Sequence, residues 1–250
     1  MCGIAGIVKF NNSSVDALAA IQKMDNAIKH RGPDGDGYLV INGNAETPAF
    51  GKDTPSAIIE SGILHKPTKP LSKVTGADAI LAHRRLSIID VQPTGYQPMC
   101  NIDKNLWIVH NGELYNYIEL REELSKTGHR FHTSSDTEVM LAAYKQWGAD
   151  CVKHFNGMWA FVIYDKDKQQ LFASRDRFGV KPFYYIHNSS CFAFASEQKA
   201  LLASSLIDFK PNVSAIFDYW MFSSMEKEEE GMFSGIFELF PSYNLTVNLK

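Results

Sequence analysis

Apolar and polar positions alternate along this chain in stretches that change period several times. Residues 4–10 (IAGIVKF) form a short apolar run that predicts a buried strand. Val15, Leu18, Ile21, Met24 and Ile28 recur at helical spacing and predict a helix over 15–29. The cluster His30-Arg31-Gly32-Pro33-Asp34-Gly35 stops it with breakers and turn formers. Residues 38–41 read as a further strand. Residues 42–78 hold Gly, Pro, Lys and Thr with no sustained period and predict a long surface excursion.

Order returns at residues 79–90 and 106–110. Asn116-Tyr117-Ile118-Glu119 and Ser135-Asp136-Thr137-Glu138 each have the form of a capping box, opening helices that end near Gly128 and Gly148. From Gly157 the segments MWAFVIYD, LFASRD, KPFYYIH and CFAFASE predict strands separated by short turns, the first apolar on both faces. A short helix is expected at 197–203. Residues 206–250 are less regular. They carry the acidic run 226–230, read as a solvated turn or helix start, and five aromatic residues expected to be exposed: Phe217, Trp220, Phe222, Phe233 and Phe237. This order of elements predicts sheets sandwiched between helices, with antiparallel strands in the second half.

Composition narrows the function. With 250 residues, 45% hydrophobic and 21% charged, the chain suits a generous single domain, or one domain with an appendage. A net charge of −3 and the lack of a Lys/Arg-rich run argue against a nucleic-acid partner. No run approaches the roughly 20 apolar residues needed to cross a bilayer, so no membrane partner is expected. Cys2, Cys100, Cys151 and Cys191 are dispersed. They suggest neither a disulfide framework nor a zinc site, and fit a reducing compartment. The start MCGIAGIVKFNN lacks the basic region of a signal peptide, and a cytoplasmic location is expected.

Four groups of residues can carry chemistry. Cys2, freed of Met1, would combine a nucleophilic thiol with an α-amine that titrates near ~7.7–8.0, close to where a general base works best. A cysteine at position 2 is more often just a small residue near a terminus, but two glycines follow in Cys-Gly-Ile-Ala-Gly and allow close backbone approach to a substrate. His83-Arg84-Arg85-Leu86-Ser87-Ile88-Ile89-Asp90 sets arginines beside an apolar strand. Arginine suits two-point binding of a carboxylate, although Arg84 is read as surface charge. In His110-Asn111-Gly112-Glu113, an amide side chain and a glycine N–H can aim at one developing oxyanion, against the plainer reading of an Asn-Gly turn. Asp136, at the first helical position, is favoured there by the helix dipole and could also bind an amine.

MCGIAGIV, HRGPDG, HRRLSIID, QPM, HNGELYN, SDTEV, FNGMWAF, RDRFGVKPFYY and FASE occur in the order seen in class II glutamine amidotransferases. The chain most closely resembles the N-terminal half of glutamine-hydrolysing asparagine synthetases, over about residues 2–205 and more weakly to 250. The resemblance implies an α+β, four-layer αββα Ntn-hydrolase sandwich of two antiparallel sheets between helical layers. It implies a glutaminase domain over 2–205, with the 42–78 insertion, and a connector over 206–250 toward a synthetase domain. It makes Cys2 the nucleophile, with its own α-amine moving protons, and Asn111 and Gly112 the oxyanion hole. Arg85 would hold the α-carboxylate of L-glutamine, Glu113 and Asp136 its α-ammonium, and the backbone at Ile88 and Ile89 would line the pocket. Residues 30–34 would lie near the pocket mouth in a structural role.

No cofactor or metal is expected in this domain. ATP and magnesium belong to the synthetase domain, whose Ser-Gly-Gly-x-Asp-Ser loop does not occur in these residues. That domain and a homodimer are the expected partners. The competing readings are a non-catalytic Ntn-like module that binds glutamine or a partner, and a fragment that associates with itself.

Overall fold

The computed structural model describes residues 1–10, 13–223 and 230–249; residues 226–229 of the acidic run lie outside them. In chain order the elements are β1 (Gly3–Lys9), α1 (Ala17–Ala27), β2 (Gly35–Asn42), β3 (Ala45–Phe50), α2 (Ser56–Ile59), β4 (Lys69–Pro70), β5 (Ala79–Arg85), β6 (Met99–Cys100) and β7 (Leu106–Leu114). There follow α3 (Tyr117–Lys126), α4 (Asp136–Trp147), β8 (Gly157–Asp165), β9 (Gln170–Arg175), β10 (Tyr184–His187), β11 (Cys191–Ala195), α5 (Gln198–Ala203), α6 (Val213–Phe222), β12 (Phe237–Glu238) and β13 (Asn244–Asn248).

The strands form two sheets, ordered β12-β10-β11-β1-β5-β2-β3-β4 and β13-β9-β8-β7-β6. Every ladder is antiparallel except the short β3–β4 pair. Side-chain alternation along each strand then builds three cores. On one face of the first sheet, Ala5, Ile7, Val40 and Ile80 pack against Ile21 and Met24 of α1 and Leu201 of α5. On its other face, Ile4, Val8, Leu39 and Leu81 meet Trp107, Val109, Val162 and Tyr164 of the second sheet. The far side of that sheet, with Ile108, Phe161 and Ile163, packs on Leu120 and Leu124 of α3 and on Val139 and Met140 of α4. The result is the four-layer αββα order. Strands β1 and β8 are apolar on both faces because both faces are covered. Full burial of one such aromatic or aliphatic side chain is worth about 1.5–3 kcal/mol.

Several expectations are corrected. The excursion after residue 42 is not structureless: β3 pairs with β2 from Asn42↔Ala45 to Tyr38↔Ala49. Its sequence, AETPAF, has a proline and one fully buried residue, Ala49, so its partner rather than its own period makes it a strand. The first capping box does not form, since the Asn116 side chain instead accepts from Asn156 N–H (2.9 Å) and donates to the His154 carbonyl (3.0 Å). At the second, Ser135 caps Thr137 N–H (3.2 Å), while Glu138 accepts from the N–H groups of His132 and Thr133, both 2.9 Å. Phe217, Trp220 and Phe222 on α6 are exposed as expected. Phe233 and Phe237 are half-buried, against Phe209 and Tyr185. No helix among the described residues is long and apolar enough to cross a membrane.

Candidate active site

The start of β1 lies beside the ends of β11 and β5. Ile4 exchanges hydrogen bonds with Ser196 through its N–H (to Oγ, 2.9 Å) and its carbonyl (from Ser196 N–H, 2.9 Å). Gly3 stands opposite Arg84 in the β1–β5 ladder. Cys2 is therefore placed one residue before a fully paired strand. Its carbonyl accepts from Arg31 Nε (2.9 Å), and Arg31 Nη1 is held by Glu197 (2.9 Å). The Cys2 thiol donates to the Leu86 carbonyl (3.4 Å) and its sulfur accepts from Leu86 N–H (3.3 Å). Burial pushes the thiol pKa up, and the Leu86 N–H, the chain's terminal charge, Arg85 and Lys181 oppose that shift.

Residues 30–34 brace this corner. Asp34 N–H donates to the Arg85 carbonyl (3.0 Å), and the Asp34 carboxylate accepts from Ser87 N–H (2.8 Å). These contacts fit the structural role expected for them, and through Arg31 the segment also holds the Cys2 backbone.

Arg85 ends β5 on the inter-sheet side and is buried. Its Nη2 donates to the carbonyls of Asp90 (2.6 Å) and Gln92 (2.9 Å), and burial lowers its pKa. The loop that receives it is tightly set. Asp90 has a left-handed φ of 52°, and its carboxylate accepts from Thr94 Oγ1 (2.8 Å) and Ser134 N–H (3.2 Å). A side chain at Gly95 would put a Cβ 2.3 Å from the Asp90 carbonyl and 2.7 Å from Arg85 Nη2, so glycine permits the approach.

Asn111 and Gly112 lie within β7 itself, opposite Ala160 and Trp159 of β8, so the plainer reading of an Asn-Gly turn does not hold. The alternation that turns Trp107 and Val109 toward the first sheet turns Asn111 the same way. Asn111 is 1% exposed, and neither its amide nitrogen nor its amide oxygen has a hydrogen-bond partner among the described residues. Buried amides are nearly always paired, so this one has donor capacity in reserve. A Cβ on Gly112 would lie 2.1 Å from the Met158 carbonyl, which leaves only glycine there. Asp136 is buried at the first turn of α4, where one carboxylate oxygen accepts from Leu114 N–H (2.9 Å).

One cavity collects these groups. Its walls include Cys2, Arg85, Ile88, Ile89, Asn111, Gly112, Glu113 and Asp136, so every residue expected from the sequence meets there. Its volume is about 50 Å³, room for a few waters, and Met1 is part of the wall. Arg84 does not join them. It is 1% exposed on the opposite face of β5, bonded to Asp25 and, at 2.7 Å, to Asp53, and is therefore not surface charge. The alternation of a strand sends adjacent arginines to opposite faces.

Among the cavity-wall residues that were not anticipated are His83, Gln97, His110 and Lys181. Gln97 Oε1 accepts from His110 N–H (2.7 Å), and His83 Nε2 meets the His110 carbonyl at 3.1 Å, fixing β7 just before Asn111. Burial holds both imidazoles neutral, with His83 pushed down to about 3. Each histidine opens a motif that was noticed for its other members, HRRLSIID and HNGELYN. Lys181 sits inside RDRFGVKPFYY, where a lone lysine in an aromatic run was the available signal. Among the described residues no group of three or more His, Cys, Asp or Glu is placed to hold a metal ion.

A cysteine at the head of a central strand, in a sandwich of two sheets between helices, defines the Ntn-hydrolase class of fold. Similarity to known proteins agrees. The profile of the glutamine amidotransferase domain matches residues 1–51 and 63–250, and the chain belongs to that family. The unmatched residues, 52–62, fall within the excursion that carries α2. The chain is 35% identical over 249 residues to asparagine synthetase [glutamine-hydrolyzing] 3 of Bacillus subtilis, covering 98% of this chain and 34% of the relative. To asparagine synthetase [glutamine-hydrolyzing] 1 of the same organism it is 37% identical over 226 residues, covering 89% and 30%. It thus spans about a third of the length of these relatives. Among solved structures, the glutamine phosphoribosylpyrophosphate amidotransferase of B. subtilis superposes with a TM-score of 0.65 at 25% identity, covering 82% of this chain and 44% of that one.

Proposed function

We propose that this chain, once Met1 is removed, hydrolyses the side-chain amide of L-glutamine with Cys2, and that the ammonia serves a synthetase domain of the asparagine synthetase type. The observation that carries the reading is the buried, unpartnered amide of Asn111 in the wall of the cavity that also holds the Cys2 thiol. Loss of Met1 frees the α-amine of Cys2 and takes one side chain out of the cavity wall. The amine takes the thiol proton as sulfur bonds to the amide carbon, and gives a proton to the departing nitrogen, which leaves as ammonia. Water then cleaves the thioester to glutamate.

The Asn111 side chain and the Gly112 N–H carry the oxyanion at both tetrahedral stages. Arg85, already steadied by two carbonyls, holds the α-carboxylate. Glu113 and Asp136 receive the α-ammonium, and the backbone at Ile88 and Ile89 lines the substrate. No cofactor takes part in these steps, and ATP and magnesium belong to the acceptor chemistry. Residues 2–205 carry the hydrolysis and residues 206–250 lead toward the synthetase domain, against which the exposed aromatics of α6 are assigned to pack. The cytoplasm is the proposed location.

Intact mass and glutamate release, measured on one sample, test the reading. Protein lacking Met1 should turn over glutamine, and Cys2→Ala should reduce release to the uncatalysed background. Met1-free protein that binds glutamine without turnover would replace the hydrolase with a binding module. Reversible self-association in sedimentation, centred on α6, would point to a homodimer instead of an interdomain face.

A further inference from the structure

Lys181 is a buried cation with no ion pair among the described residues. It is 4% exposed, and among the described residues no carboxylate oxygen lies within 4.0 Å of its Nζ, whereas Lys166 and Lys168 are paired with Glu46 and Asp165. The contact of its Nζ is the Met1 sulfur, at 3.2 Å.

Its backbone is clamped on both sides. Lys181 N–H donates to the Asp176 carboxylate (2.9 Å), and its carbonyl accepts from Arg175 Nε (2.7 Å). Asp176 also accepts from the N–H groups of Phe178 (3.0 Å) and Val180 (2.9 Å), and Arg175 also donates to the Gly179 carbonyl (2.9 Å). The loop thus delivers an ammonium into the cavity at the chain's first residues. Desolvation disfavours such a charge, and burial lowers the pKa of Lys181 while Glu113, Cys2 and Asp176 pull it back.

We propose that Lys181 is a positioning residue of electrostatic kind: its charge keeps the α-amine of mature Cys2 unprotonated near neutral pH, and so available as the base. The inference rests on Cys2 acting as proposed above. A free α-amine ordinarily titrates near ~7.7–8.0 and would be mostly protonated at neutral pH. Lys181 Nζ lies 3.2 Å from the sulfur of Met1, the residue joined to that nitrogen, and a like charge nearby lowers the value of an amine and favours a thiolate.

The other charged and titratable groups facing this corner are accounted for. Arg31, from the turn after α1, is paired with Glu197, and Arg85 of β5 binds two carbonyls. His83 of β5 and His110 of β7 are neutral. Asp136 of α4 binds Leu114 N–H, and Asp176 is spent on its own loop, which leaves Glu113 of β7 as the carboxylate facing Lys181.

The test uses Met1-free wild type, Lys181→Met and Lys181→Arg. For each, kcat/KM for glutamine is followed from about pH 5.5 to 9.5. Lys181→Met should move the acidic limb up by on the order of one pH unit. Its turnover should then be roughly tenfold lower on that limb and approach wild type at the alkaline plateau, while Lys181→Arg should keep the wild-type limb. A uniform loss with an unmoved limb, or a raised KM alone, overturns the proposal.

The α-amine of the wild type can also be titrated directly, by the pH dependence of its carbamylation with cyanate. That measurement needs neither a stable variant nor turnover. An amine that titrates near ~8 overturns the role of Lys181. A Met1-free wild type that releases no glutamate fails the hydrolase reading instead, so the two failures are told apart.

Discussion

On the helix side of β5, Arg84 is engaged through all three guanidinium nitrogens, two with Asp25 and one with Asp53. On the inter-sheet side, one residue later, Arg85 spends a single nitrogen on two carbonyls and, among the described residues, has no carboxylate within 4.0 Å. Both arginines are buried. The first has its counter-charges built into the fold, and the second is steadied but not neutralised. Asn111 and Lys181 share the condition of Arg85. The side of the sheet that faces Asp25 is electrostatically complete, whereas the cavity at Cys2 holds polar capacity that the protein itself does not use. Buried capacity of that kind disfavours the fold unless a ligand draws on it.

Arg84→Met should cost the most stability, about 3–5 kcal/mol in denaturant unfolding, because it leaves Asp25 buried and unpaired. Arg84→Met combined with Asp25→Leu should regain most of that loss; equal instability of the double variant would show that packing, not charge, dominates there. Asn111→Ala is the converse case. It should lower kcat by about 10²–10³-fold while unfolding changes by less than about 1 kcal/mol, since no hydrogen bond within the protein is lost. A large loss of stability would mean that the amide is structural. Arg85→Lys keeps the charge but loses the two-point fork, and should raise KM for glutamine roughly tenfold with kcat less affected.

The smallest effect concerns Glu197, whose carboxyl is held down from 4.5 to about 2, chiefly by Arg31 against the opposing effect of burial. Between those pH values the unfolded chain takes up the proton first. The stabilisation is therefore complete above pH ~4.5 and lost as pH falls toward ~2. Glu197→Gln should flatten that part of the stability–pH curve, and an unchanged curve would remove Glu197 from the support of Arg31 and Cys2.

Much of this was legible along the chain. The strand before residue 10, the helix stop at residues 30–35, the Ser135 cap of α4 and the two-faced apolar run of β8 are local or periodic patterns, and each formed close to its expected bounds. The plainer reading of Asn111-Gly112, a turn, rests on dipeptide chemistry, and the nine-residue ladder between β7 and β8 overrides it by making the pair strand. The Asn116 box failed because His154 and Asn156 claimed the side chain from another part of the fold.

Period and turn chemistry point to the strands and helices of the layers, because alternation and capping act over a few neighbouring residues, and the ordered motifs point to the candidate residues that meet in the cavity. The motif already set Arg85 in the pocket, but that Arg84 is a buried, ion-paired side chain rather than surface charge was settled in three dimensions. Asp25 lies 59 residues from Arg84 in the chain, and Met1 lies 180 from Lys181. The state of a buried charge depends on what surrounds it in space, and only packing of the two sheets and their helices supplies that surrounding.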